Sequence, residues 1–313
     1  MVKANSFLPS VENDKLFPLL YDACKEVGID LQPNKLSNYR ENYRKAQNVI
    51  TWGYKIPTEW YNTNYRNTLY LENGLFCQRG QFWIDSRGKF SFSKLCECQE
   101  YFDTVSVDEM ARIHQLAHDR FKWNLFEGYD NSCEPYMFAL QRGIDAPARL
   151  DFPLRNKKLK TNGTALEIIS EHFPDLPIIW RGHPRFPDVL KNLMPHLKKC
   201  WRSNWSIDTS KDCYKTLKNC RGLITINSTL ATETLFLGIP VATLGRSAFT
   251  GSNVTLECHD DPSKLSKITK FVPDQDRILN YLGAVMRHQL PTTSTHKDIS
   301  EHREFQIWAQ RAK

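Results

Sequence analysis

The chain has 313 residues, 41% hydrophobic and 25% charged, with 14 glycines and 16 prolines. Such a length suits two domains of roughly 150 residues each, and the composition excludes collagen-like and low-complexity chains. Its 42 Lys and Arg exceed its 35 Asp and Glu by 7, an excess that is one-sided: residues 1–150 carry 18 against 19, net −1, and residues 151–313 carry 24 against 16, net +8. An anionic ligand is therefore expected in the second half.

No apolar run approaches the roughly 18 residues a membrane-spanning helix needs, and the N-terminus lacks the apolar core of a secretory signal. Nine scattered cysteines without a CxxC pair read as reduced thiols in a cytoplasmic protein.

In chain order, the apolar spacing of Leu16, Leu19, Leu20 and Cys24 predicts a helix over 14–27. Strands are predicted at 48–52 and 68–71, and a hairpin from 81–85 with 90–92. A helix follows over 107–123, then a buried strand over 136–140. The second half alternates more regularly: helix 165–172, strand 177–180, helix 187–198, strand 206–207, helix 212–219, strand 222–226, helix 230–237 and strand 240–244. That succession predicts an α/β fold whose ligands lie beyond the carboxyl ends of a parallel sheet. The tail, 276–287 and 299–311, is predicted helical. The expected division is 1–153, 154–290, and a terminal segment, 291–313, that packs back on the first domain.

Two segments carry chemistry. Gly222-Leu-Ile-Thr-Ile-Asn-Ser-Thr229 is an apolar strand ending in Asn227, Ser228 and Thr229, small polar residues suited to a helix start where backbone N–H groups hold phosphate. Glu233 follows one turn later; an ordinary capped helix explains the same residues. Ile178-Ile-Trp-Arg-Gly-His-Pro-Arg185 delivers Arg181, His183 and Arg185 at a strand's carboxyl end, with Pro184 restricting His183 to extended backbone. The arginines suit a diphosphate, and the histidine a donor to phosphate or a leaving oxygen.

These residues resemble a known family. His183-Pro184 followed by Asn227-Ser-Thr-Leu-Ala-Thr-Glu-Thr-Leu-Phe-Leu-Gly-Ile-Pro-Val241 is similar to the capsule polysaccharide synthesis glycosyltransferases, the Kdo-transferase-like branch of GT-B enzymes. So, in the same order, are Val49-Ile-Thr-Trp52-Gly53, Leu69-Tyr-Leu-Glu72-Asn73-Gly74-Leu-Phe76, Trp83-Ile-Asp85-Ser-Arg-Gly88 and Tyr136-Met-Phe-Ala-Leu-Gln141. The resemblance spans roughly residues 48–245. It implies two Rossmann-like domains facing across a cleft, with a nucleotide-sugar co-substrate on the second and no resident cofactor or metal. Donor-side residues would be Arg181, His183, Pro184, Arg185, Asn227, Ser228, Thr229 and Glu233. The acceptor side or cleft would hold Trp52, Gly53, Asn73, Gly74, Arg79 and Gln141. The family's carboxylate after Glu is Asn73 here, which leaves Glu72, then Asp85, as the expected base beside His183; a turn-capping role for Glu72 is equally open.

Three functions follow: sugar transfer to a glycan, the same chemistry on hydroxymethylated DNA bases, or non-catalytic binding of a nucleotide-sugar or glycan. The run Trp60 to Arg66 and the basic Lys157, Lys158 and Lys160 permit DNA; the net −1 first half counts against it. His114 and His118 sit four apart on a predicted helix without the H-E-x-x-H context of a zinc site. Asp274-Gln-Asp276 is better explained as acidic residues at a helix start.

Overall fold

The computed structural model describes residues 1–8, 10–34, 45–52, 67–78, 80–86, 104–128, 130, 132–142, 152–154 and 160–313. Gly53, Arg79, the Trp60–Arg66 run, Phe90–Phe92, Lys157 and Lys158 lie outside them. The chain forms two compact units, Met1–Lys94 with Val285–Lys313, and Leu95–Ala284. The sequence reading divided the chain near 153; here the strand at 136–139 already belongs to the second sheet.

In the first unit, β1 (Val2–Phe7), β2 (Ile29–Pro33), β3 (Asn48–Trp52), β4 (Asn67–Asn73), β5 (Gln81–Asp85) and β12 (Gln289–Pro291) form one sheet, in the order β12-β5-β4-β3-β1-β2. Strands β1 to β4 are mutually parallel, while β5 runs antiparallel to both β4 and β12. The strand at 81–85 thus pairs with the chain before it and with the chain's end. Helix α1 (Ser10–Glu26) contributes Leu16, Leu20, Ala23 and Cys24 to the core. The tail helices α8 (His296–Ser300) and α9 (Arg303–Ala312) contribute Ile299, Phe305, Trp308, Ala309 and Ala312. Asn67 Nδ2 donates to the Trp308 carbonyl at 2.7 Å, and Trp308 Nε1 donates to the Asn67 carbonyl at 3.2 Å.

The second unit opens with α2 (Val107–Phe121), started by a reciprocal capping box between Ser106 and Glu109. Its sheet comprises β6 (Tyr136–Ala139), β7 (Ile178–Arg181), β8 (Ser206–Asp208), β9 (Gly222–Thr225), β10 (Val241–Thr243) and β11 (Leu256–Glu257). All neighbours are parallel, in the order β11-β10-β9-β6-β7-β8. Strands β6, β9 and β10 are buried at every position, as parallel strands covered on both faces should be. The intervening helices are α3 (Lys160–His172), α4 (Asp188–Cys200), α5 (Cys213–Leu217) and α6 (Leu230–Phe236). Leu190, Leu193 and Leu197 of α4, spaced three and four apart, form its buried face. Gly238, with φ +75°, ends α6 and starts the turn into β10. Asp274 caps the N-terminus of α7 (Gln275–His288), its Oδ1 accepting from Arg277 N at 3.0 Å, so the Asp-Gln-Asp segment is a helix start. No described helix is long and apolar enough to cross a membrane.

Candidate active site

The second sheet reverses its strand order between β6 and β9, the point where doubly wound sheets open a crevice at their carboxyl ends. Gln141, just beyond β6, bridges that point. Its Nε2 donates to Asn227 Oδ1 at 2.8 Å, and its Oε1 accepts from Asn227 N at 2.7 Å and from Thr225 Oγ1 at 3.3 Å. Asn162, on the first turn of α3, holds the Gln141 backbone on both sides: Gln141 N donates to Asn162 Oδ1 at 3.2 Å, and Asn162 Nδ2 donates to Gln141 O at 2.6 Å. Asn227 Nδ2 then reaches the Arg246 carbonyl at 3.2 Å. An amide relay, Asn162–Gln141–Asn227, buried at both ends and half-buried at Gln141, therefore fixes the strand ends around the Ser228 turn. Gln141, an acceptor-side expectation, sits with the donor-side Asn227; Asn162 escaped the sequence reading.

The turn itself differs from the expected row of free amides. Ser228 N donates to Thr225 Oγ1 at 3.2 Å and Leu230 N to Ser228 Oγ at 3.3 Å. Ala231 N and Thr232 N donate to the carbonyls of Ser228 and Thr229 at 3.1 and 3.0 Å. Asn227 is buried, while Ser228 and Thr229 are half-buried, and Thr229 makes no side-chain cap to the seven-residue α6. Hydroxyl groups, rather than a nest of amides, are what this turn offers.

His183 follows β7 by two residues and is half-buried. Its Nδ1 accepts from Arg185 N at 3.2 Å, which makes Nε2 the protonated nitrogen of the neutral ring. The ring packs on Phe186 at 4.9 Å, and the Arg142 guanidinium lies 4.3 Å above that phenyl. Burial first, then the positive charges of Arg185 and Arg142, holds His183 below its ordinary pKa. The result is a neutral imidazole with a fixed donor in a positive surrounding. Pro184 and Arg185 are exposed.

Two expected donor ligands are committed elsewhere. Arg181 is only 3% exposed. Its Nη1 lies 3.1 Å from Asp208 Oδ2 and 3.3 Å from Ser210 Oγ. Thr216 Oγ1 donates to the same Asp208 oxygen at 2.5 Å. Burial would raise the Asp208 pKa, but the hydrogen bonds from Thr216 and Ser210 and the Arg181 charge outweigh it. Arg181 therefore ties β7 to β8 within the protein. Glu233, buried on α6, accepts from Tyr214 OH at 2.9 Å. Burial raises its pKa to about 7, against the opposing effects of Tyr214 and Arg120.

In the first unit, Glu72 is half-buried at the end of β4, and its Oε1 accepts from Asn73 N at 2.9 Å and Asn73 Nδ2 at 3.0 Å. Asn73 is thus a donor to the carboxylate, where an aspartate would repel it. Gly74 allows close approach: a Cβ there would lie 2.7 Å from Gln81 Cβ and 2.9 Å from Gln289 Oε1. Gln289 Oε1 accepts from Leu75 N and Phe76 N at 3.1 and 3.2 Å, and its Nε2 donates to Phe76 O at 3.0 Å. Asp85 is fully buried and Trp52 nearly so, which leaves Glu72 as the more accessible of the two carboxylates. His114 and His118 are exposed, and no group of three metal-binding side chains occurs among the described residues.

Comparison with known structures places the protein in a class. Thermosulfurimonas dismutans KpsC, beta Kdo 2,7 transferase, superposes over 100% of both chains with a TM-score of 0.61 at 15% identity. The beta Kdo 2,4 transferase of the same KpsC covers 89% of each chain with a TM-score of 0.56 at 14% identity. The fold is thus an α/β fold of GT-B type. Residues 138–290 match the model of the family described as capsule polysaccharide biosynthesis protein. Protein FixF of Sinorhizobium fredii (strain NBRC 101917 / NGR234) is 21% identical over 301 residues, 90% of this chain and 70% of that protein.

Proposed function

We propose that the protein is a glycosyltransferase that moves a sugar from a nucleotide-sugar to a glycan acceptor in capsule or surface polysaccharide synthesis. The observation that carries this reading is His183: a neutral imidazole held as an Nε2 donor by Arg185 N, at the carboxyl edge of the sheet region that matches the capsule family. On this proposal His183, the exposed Arg185 and the Ser228 and Thr229 hydroxyls hold the donor diphosphate or phosphate. As the glycosidic bond to the nucleotide breaks, the bridging oxygen gains negative charge, and preorganised donors stabilise that charge without a metal. Arg181 and Glu233 act behind this surface, shaping β7, β8 and α6. Glu72 takes the proton of the acceptor hydroxyl, with Asn73 orienting its carboxylate.

The test is a panel of nucleotide-sugars, including activated Kdo, the sugar named in the two structural neighbours. A true donor raises the melting temperature and labels an oligosaccharide acceptor. His183→Ala is expected to weaken donor binding by roughly ten- to a hundred-fold, the worth of a charge-assisted hydrogen bond. Glu72→Gln should abolish transfer while donor binding persists. Transfer to hydroxymethylated DNA alone, or donor binding with no transfer to any acceptor, would replace this reading by one of its alternatives.

A further inference from the structure

From Val189 to Ile207 the chain contains no Asp or Glu, and it carries Lys191, Lys198, Lys199 and Arg202, all exposed. Lys191 and Lys198 are seven residues apart on α4 and so lie on one line of the helix, with Lys199 beside it and the Leu190, Leu193 and Leu197 face opposite. None of these four cations is in a salt bridge among the described residues. The Asp208 carboxylate beyond the run is taken by Arg181. Glu167 and Glu171 of the neighbouring α3 are exposed and unpaired with these cations.

Trp201, immediately after α4, is 41% exposed, whereas every other described tryptophan is buried. The indole is held outward from the core. It meets Trp205 edge-on at 6.4 Å, Trp205 meets the buried Trp180 at 5.3 Å, and Trp205 Nε1 donates to the Leu176 carbonyl at 3.2 Å. The negative end of a helix dipole accounts for Lys198 and Lys199 in the last turn. It does not account for Lys191, for Arg202 beyond the helix, or for an exposed indole set among them.

We infer that this face of α4 and the turn after it docks on an anionic phospholipid surface. Lysine and arginine head groups meet the lipid phosphates, and a rigid tryptophan sits at headgroup depth, where indole rings are favoured. A nucleic acid duplex or an acidic polysaccharide would use the cations but has no use for the indole. The inference does not depend on the sugar-transfer reading.

The test is sedimentation of the full chain with phosphatidylcholine vesicles, with and without phosphatidylglycerol, at low and high salt. Binding is expected only with the anionic lipid and should fall with salt. The triple variant Lys191→Gln, Lys198→Gln, Lys199→Gln should lower it about a hundred-fold, at about five-fold per cation. Trp201→Ala should lower vesicle binding yet leave any retention on heparin unchanged. Equal binding to both vesicle types, an unchanged Trp201→Ala variant, or variants that lose only heparin or DNA binding would overturn the inference. An unaltered thermal transition in each variant separates these outcomes from misfolding.

Discussion

Glu233 lies in the helix segment that resembles the capsule-synthesis motif, at a position expected to face the ligand, yet it is buried and bonded to Tyr214. Its carboxyl titrates near 7 instead of at 4.5 because burial disfavours the charged form. A raised carboxyl pKa means that the folded state binds a proton more tightly than the unfolded one. Its contribution to stability is therefore fullest below pH 4.5, declines as the pH rises, and is lost by about pH 7. Glu233→Gln keeps an acceptor for Tyr214 and removes the charge. It is expected to stabilise the protein at pH 8 by about 1–3 kcal/mol, and the gain should vanish below pH 4.5. Melting curves of both proteins across this range check it; a loss of stability at pH 8 would show that the ionised carboxylate is required. For Arg181 the sequence hides the outcome because its partner, Asp208, is 27 residues distant.

Among the elements, the Gln289 clamp shows how a short strand can govern a distant turn. Its side-chain oxygen satisfies the amides of Leu75 and Phe76, more than 200 residues earlier in the chain, in a fully buried setting. Gln289→Met retains the length of the side chain and strands both amides. The expected cost is about 2–5 kcal/mol, since each orphaned buried donor costs about 1–3. Denaturant unfolding and hydrogen exchange at Leu75 and Phe76 measure it, and unchanged protection at those amides would refute the clamp. Nothing local in Gln289-Leu-Pro291 marks it as a strand, and β1, with its polar Asn5 and Ser6, was equally unreadable. Asn5 Oδ1 accepts from Asn34 Nδ2 at 2.9 Å and Ser6 Oγ donates to the Gln32 carbonyl at 3.4 Å, so β1 tolerates polar residues by bonding them across to the chain around β2. Strands β6, β7, β9 and β10 were legible because two-sided burial demands a continuous apolar run. That is why His183 and Asn227 could be placed at strand ends from the residues themselves, whereas Gln141 came only with the family resemblance. Asn162 was missed because its role lies in the amide relay, and its own segment reads as polar loop.

At the scale of the whole molecule, the chain leaves the first unit after Lys94, builds the second, and re-enters the first at Val285, within α7. The last residues are therefore structural members of the first sheet's core. Phe305 and Trp308 are fully buried there, and Glu304 Oε2 accepts from Ser86 N and Oγ at 3.0 and 2.7 Å. The second unit's sheet, by contrast, is assembled from residues 136–257 alone. Removing residues 285–313 takes away the last turn of α7 with β12, α8 and α9, and exposes the apolar face that α9 covers on β4 and β5. Losing even Trp308 alone, as Trp308→Ala, should cost about 3–5 kcal/mol. The truncated chain should thus lose exchange protection throughout β1–β5 while β6, β7, β9 and β10 stay protected. It should also still show thermal stabilisation by the donor, because every proposed donor-binding residue lies in the second unit. Protection retained in β1–β5 would mean that the first unit folds without the chain's end, and loss of protection in both sheets would mean that the second unit does not stand alone.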